Sequence, residues 1–146
     1  MEHNELLAWA AGFIDGEGTI SMYKRTDRRQ EFRVRMSVVN THKQSLERLQ
    51  ALFGGSIKPL HKDTPLRNWK PSFTWVIGER LAEAAIIQVL PYLFVKRPQA
   101  ELALEARQHV GPAGQRRSDS QIQRMEMFLQ AFRRLNKKGR VAILAG

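Results

Sequence analysis

The amino-acid sequence predicts an α+β domain built on one four-stranded antiparallel sheet, with the order α-ββ-α-ββ-α-α-α. Three observations carry this prediction. Residues 31–40 alternate with period two, placing Phe32, Val34, Met36 and Val38 on one side and Arg33, Arg35, Ser37 and Val39 on the other. Residues 42–53 switch to helical spacing, with Leu46, Leu49, Leu52 and Phe53 on one face. Glycines and prolines at Gly54-Gly55, Pro65 and Pro91 punctuate the segments between.

Residues 4–15 read as the first helix, with Asn4 as its N-cap. Its side chains are apolar almost all round: Leu6, Leu7, Ala8, Trp9, Ala10, Ala11, Phe13 and Ile14. A surface helix carries one apolar stripe, so this one needs cover on two sides. The chain's own core supplies one cover and a second copy is expected to supply the other. Ala8, Ala11, Gly12 and Asp15 form the stripe through which that copy would approach. Gly16-Glu17-Gly18 is expected to break the helix.

Two strands follow at 18–26 and 31–40, joined by the polar turn from Thr26 to Gln30. Asn40-Thr41 precedes the helix at 42–53, which Gly54-Gly55 ends. A second strand pair is expected at 56–62 and 70–77, where Phe73, Trp75 and Ile77 alternate with Ser72, Thr74 and Val76. A helix at 79–90 stops at Pro91, and Pro98 suits the first turn of the next, 97–109. Ser118 and Gln121 have capping-box spacing for a last helix at 119–136. Residues 1–137 thus form one domain, and 138–146 a basic-then-apolar tail expected to be loosely ordered.

Of 146 residues, 24 are Lys or Arg and 14 are Asp or Glu, for a net charge of +10. That excess favours a polyanionic partner, since phosphate neutralisation releases counterions. The absence of cysteine excludes disulfides and thiolate metal sites and fits a reducing compartment. Acids at Glu2 and Glu5 argue against an export signal, and no apolar run is long enough to span a membrane. An intracellular protein, away from membranes, is expected.

Period two assigns Ser21, Tyr23, Arg25, Arg33, Arg35, Ser37, Lys58, Lys62, Ser72 and Thr74 to the outward face of the sheet, with Arg28, Arg29, Arg67 and Lys70 in or beside its loops. No acid falls on those outward positions. A merely solvated surface would mix signs. A twisted antiparallel ribbon rich in arginine suits the major groove of double-stranded DNA, where arginine pairs bidentately with guanine.

The stretch Ala10-Ala11-Gly12-Phe13-Ile14-Asp15-Gly16-Glu17-Gly18 resembles the LAGLIDADG motif, a helix ending in an acid-bearing turn. Leu90-Pro91-Tyr92-Leu93-Phe94-Val95-Lys96-Arg97-Pro98-Gln99-Ala100 resembles the segment that carries the active-site lysine of that homing endonuclease family. Val39-Asn40-Thr41 resembles its junction of second strand and second helix, and Leu135-Asn136-Lys137-Lys138-Gly139 a common ending of its organellar and phage members. The α-ββ-α-ββ-α order is also that family's, and with it the resemblance covers nearly the whole chain. Ala10 stands where the motif has its first leucine, and Glu17 where it has its second aspartate.

The resemblance implies a site-specific homing endonuclease that makes a double-strand cut in a long, nearly palindromic DNA target. One motif copy implies a homodimer with the two motif helices side by side. Glu17 would bind the catalytic Mg²⁺, with the Gly16 carbonyl as a second ligand. Mn²⁺ would substitute, and Ca²⁺ would support binding without cleavage. Lys96 would order the attacking water or stabilise transition-state charge. Asn40 stands where relatives carry a solvent-ordering polar residue, and equally fits a helix cap. Asp15 reads as structural, hydrogen-bonded near the helix contact. The alternative on the same fold is an intron RNA maturase or a non-cleaving DNA-binding regulator. A ribosomal-type RNA binder is the third reading, but such proteins spread charge along basic tails.

Overall fold

The computed structural model describes residues 1–25, 31–60, 70–111 and 116–137. Its elements are α1 (His3–Glu17), β1 (Gly18–Lys24), β2 (Phe32–Asn40), α2 (Lys43–Phe53), β3 (Ser56–Pro59), β4 (Phe73–Gly78), α3 (Glu79–Val89), a 3-10 turn (Leu90–Tyr92), α4 (Arg97–Gln108) and α5 (Asp119–Leu135). The α-ββ-α-ββ-α-α-α order is as expected. The strands form one antiparallel sheet in the order β1-β2-β4-β3. The turn at 26–30, the link at 61–69 and the tail from 138 lie outside the described residues.

The alternation in β2 holds: Phe32, Val34, Met36 and Val38 are buried, together with Ile20 and Met22 of β1 and Trp75 and Ile77 of β4. The helices cover this side, α4 and α5 lying against β1, α3 against β2 and α2 against β4. Trp75 is fixed twice over, by its indole N–H on the Gly54 carbonyl at 2.9 Å and by the Phe53 ring at 6.3 Å. Gly54 and Gly55 have φ of 82° and 91°, and a Cβ on Gly55 would fall 2.0 Å from Ile77 Cγ2. Only glycine can pass there, so this pair ends α2 and lets β3 join the sheet at once.

Three local expectations are corrected. Helix α1 begins with Glu2 as its N-cap, rather than Asn4, and that cap makes no side-chain hydrogen bond. It runs through Gly16 to Glu17 instead of breaking there. Gly18 alone makes the switch, serving as both C-cap and first residue of β1. A Cβ on Gly18 would sit 2.7 Å from the Ile14 carbonyl oxygen, whereas one on Gly16 would meet nothing within 4 Å. The strands are also shorter than expected, β1 ending at Lys24 and β4 starting at Phe73. The capping box at Ser118 and Gln121 is formed as the sequence predicts. No helix among the described residues is long and apolar enough to cross a membrane.

Candidate nucleic-acid interface and metal site

The last turn of α1 holds Asp15 and Glu17 and no basic residue. A helix C-terminus is the negative end of its dipole, so a carboxylate there is unfavourable by about 0.3–1 kcal/mol. A bound cation relieves that arrangement. The two acids are used differently. Asp15 accepts the backbone N–H of Phe94 on Oδ2 and that of Lys96 on Oδ1, both at 2.9 Å. These bonds tie the segment before α4 to the end of α1. Glu17 is exposed, and no hydrogen bond or ion pair among the described residues engages its carboxylate. The Gly16 carbonyl is one of the last four of the helix, which lack intrahelical partners.

Lys96 is the half-buried N-cap of α4, and Asp15 holds its backbone against the turn that bears Glu17. Asn40 stands at the same end of the sheet, two residues beyond the Val38 that pairs with Gly18. Its Oδ1 accepts the N–H of His42, the N-cap of α2, at 2.8 Å. Asn40 thus closes the turn that leads into α2, but the N-cap of that helix is His42 and not Asn40. No group of three or more His, Cys, Asp or Glu gathers among the described residues. One exposed carboxylate beside helix carbonyls still suits Mg²⁺, which keeps several waters and takes one or two carboxylates with substrate phosphates.

The outward face of the sheet is built in register. Ser21 lies opposite Arg35, Tyr23 opposite Arg33, and Thr74 between Val39 and Lys58. Arg25 and Arg35 are exposed, and the Arg35 guanidinium sits 5.0 Å over the Tyr23 ring. Lys58 and Lys70 are exposed, while Ser37 and Ser72 are half-buried. Ser72 extends the β3–β4 pairing by accepting the Leu60 N–H at 2.9 Å. The Thr74 hydroxyl oxygen is shut off from solvent, so it is not presented to a ligand. Arg28, Arg29, Lys62 and Arg67 lie outside the described residues.

Sequence reasoning missed two kinds of residue on this face. Thr19 and Ser56 are exposed and share it, Thr19 opposite Ser37 and Ser56 opposite Val76. The same period of two would have found both. The face also carries an acid. Glu31 precedes β2 with the parity of Arg33 and Arg35, and its Oε2 accepts from Arg33 at 3.1 Å and lies 3.8 Å from Arg25. That hydrogen bond raises the Arg33 guanidinium pKa further above its ordinary value, against a smaller opposing effect of burial.

The uncovered side of α1 is where the sequence places it, but one assignment is wrong. Ala11 is 0% exposed, packed in the chain's own core with Leu7, Ala10 and Ile14. It cannot meet a second copy. Ala8, Gly12 and Gly16 form the exposed stripe instead, at a spacing of four. A Cβ on Gly12 or Gly16 would find nothing within 4 Å. Phe94, 85% exposed, is held beside this stripe by the Asp15 carboxylate. Asp15 is therefore occupied within the subunit, as its structural reading expected.

Comparison with known proteins bears on this arrangement. No protein-family model matches the chain. It is 32% identical over 111 residues to the DNA endonuclease I-CvuI of Chlorella vulgaris, an alignment covering 70% of this chain and 65% of that protein. The chain thus spans slightly less than two thirds of this relative's length in sequence. The solved structure of I-CvuI with its target in the presence of Ca superposes with a TM-score of 0.73 at 22% identity, covering 94% of this chain and 87% of that one. The archaeal intron-encoded homing endonuclease I-Vdi141I, solved with DNA, gives 0.71 at 16% identity, covering 94% and 88%. The LAGLIDADG homing endonuclease I-GzeII, solved with its DNA target, gives 0.65 at 17% identity, covering 94% of this chain and 46% of that one. At these identities the superpositions establish the fold.

Proposed function

We propose that this chain is a member of the LAGLIDADG homing endonuclease family, a site-specific DNA endonuclease that acts as a homodimer with a divalent cation. The observation that carries the proposal is the end of α1. There an exposed, unengaged Glu17 follows, two residues on, an acid that fixes the Lys96 segment. Both stand at one end of an arginine-bearing sheet face.

The sheet face would lie in the major groove, its arginines and hydroxyls meeting base edges and phosphates. Glu17, with the Gly16 carbonyl, would hold Mg²⁺, and Mn²⁺ should serve in its place. The bound cation would stabilise charge on the attacking and leaving oxygens as water displaces one phosphodiester oxygen. Lys96 would supply an ammonium to the water or to the developing phosphoryl charge. The Asn40 amide, at the same end of the sheet, is available to orient that water.

A second copy is supported by the Ala8, Gly12 and Gly16 stripe, where two empty glycine positions let another helix backbone approach closely. A two-fold axis there would bring two Glu17 residues together, each serving one DNA strand. The target would then be nearly palindromic, because two-fold symmetry reads similar half-sites.

The test begins with a duplex selected by the protein from a randomised pool in Ca²⁺, where binding without cleavage is expected. In Mg²⁺ the unmutated protein should cut both strands. Glu17→Gln should bind the same duplex in Ca²⁺ yet lose cleavage by roughly 10³-fold, the scale of removing a main electrostatic stabiliser. Binding with no Mg²⁺-dependent cut would instead favour the maturase or regulator reading.

A further inference from the structure

No described residue on the strands' outward positions is a carboxylate, but Glu31 stands just before β2 with the parity of its outward residues. Its backbone carbonyl accepts the Arg25 N–H at 2.8 Å, so the two residues face each other across the end of the β1–β2 hairpin. Its side chain is 16% exposed and reaches both Arg33 and Arg25. Arg33 in turn lies opposite Tyr23, the residue whose ring carries Arg35. A carboxylate therefore fixes one outward arginine of β2 and an aromatic ring fixes the other.

We infer that Glu31 is a positioning residue for sequence discrimination: it holds Arg33, and with it Arg25, in one geometry and offsets their charge towards DNA of arbitrary sequence. The inference rests on the proposal that this face reads DNA. Two physical effects act in the same direction. An arginine already fixed by a carboxylate loses less rotamer freedom on reaching a base edge, and keeps further N–H donors for it. A carboxylate close to phosphates weakens the sequence-independent attraction that dominates non-specific binding. Pre-organisation favours the correct sequence, and the negative charge disfavours all sequences alike. Their combined effect widens the gap between target and non-target. Without Glu31 the arginines would remain attractive to DNA while becoming freer to adapt to a wrong base.

The test uses the full-length protein in Ca²⁺ with two probes. One is the duplex it selects from a randomised pool, and the other a scrambled duplex of equal length and composition. Glu31→Gln should tighten binding to the scrambled duplex by about tenfold and steepen its salt dependence by up to about one unit of slope. Binding to the selected duplex should change less, so that the ratio of the two dissociation constants falls about five- to tenfold. Arg33→Lys keeps the charge but loses the planar fork. It should lower the same ratio with the salt slope unchanged, and it keeps the inference falsifiable should the glutamine variant fail to fold. A ratio within twofold of the unmutated protein in the folded variants overturns the inference, whatever happens to absolute affinity. If the unmutated protein does not itself prefer its selected duplex, the DNA-reading proposal fails first and takes the inference with it.

Discussion

At the end of α1, Asp15 holds two backbone N–H groups while Glu17, two residues later, is held by no described side chain or backbone group. On the sheet face the charged groups overlap instead: Arg25 and Arg33 share Glu31, and Arg35 rests on Tyr23 opposite Arg33. One region gives each charged group a separate task. The other spreads one task over several groups. The difference teaches where single substitutions should be felt most. At the helix end nothing nearby can replace a missing carboxylate, whereas on the face a lost contact leaves its neighbours in place.

The largest effect expected from this contrast, outside Glu17 itself, is at Asp15. Asp15→Ala removes two charge-assisted acceptors and frees the segment that carries Phe94 and Lys96. Stability should fall by about 2 kcal/mol, measured by urea unfolding, since hydrogen bonds to charged groups contribute about 1.5–3 kcal/mol each and one of these is solvent-exposed. Cleavage should fall by about 10²-fold, the scale of a small misplacement at a reacting centre. Asp15→Asn keeps one acceptor oxygen and should lie between. Full cleavage by Asp15→Ala would break the contrast, because the Lys96 segment would then be positioned by something other than this clamp.

On the face, Arg35→Ala should weaken binding of the selected duplex by about tenfold, near the lower end of what one bidentate base contact contributes. Cleavage at saturating DNA should be unchanged, and so should stability, because the residue is exposed. Combining it with Tyr23→Ala sharpens the point. If the ring acts mainly by holding the guanidinium, the double variant should lose little more than Arg35→Ala alone. Additive losses would mean that Tyr23 and Arg35 contact DNA independently and that the shared arrangement has no consequence.

The same two regions differ in how far the sequence discloses them. The face follows from a period of two, and Phe32, Val34, Met36 and Val38 turn inward as that period requires. Glu31 had the right parity and opens the expected strand 31–40, so the same period of two would have placed it on the face as well. The helix end was less legible. Two overlapping stripes run along α1, Leu7-Ala10-Ala11-Ile14 and Ala8-Ala11-Gly12-Asp15, and they share Ala11. Only tertiary packing decides that Ala11 belongs to the first. Two glycines around Glu17 read as a break, yet Gly16 in a last turn is a penalty of only about 1 kcal/mol, which packing can override. The partners of Asp15 lie 79 and 81 residues away, a relation that no local pattern encodes. The motif resemblance, rather than periodicity, singled out Glu17 and Lys96.

The smallest expected effect lies beneath the face, at Glu79, and it separates stability from reading. Glu79 opens α3 with φ of 55°, in the left-handed region that disfavours a side chain. Its Oε2 accepts from Arg107 at 2.7 Å, and its Oε1 is shut off from solvent. Burial raises its carboxyl pKa above the ordinary glutamate value, opposed by the positive charges of Arg107 and Arg33. The native state therefore binds this proton more tightly than the unfolded chain does. The penalty for ionising it is absent below the ordinary glutamate range of about 4–5, grows as pH rises through that range, and levels off above the folded-state pKa. Glu79→Gln removes this titration. Its stability relative to the unmutated protein should rise with pH across that window, by a few tenths of a kcal/mol, since a third of the side chain remains exposed. Urea midpoints measured from pH 4 to 7 would show it, with cleavage at saturating DNA unchanged. A relative stability that falls with pH would mean that the Arg107 ion pair outweighs the burial. Glu79 would then be a net support of the sheet beneath Arg33, and the reading face would depend on the core for its charge balance as well as its shape.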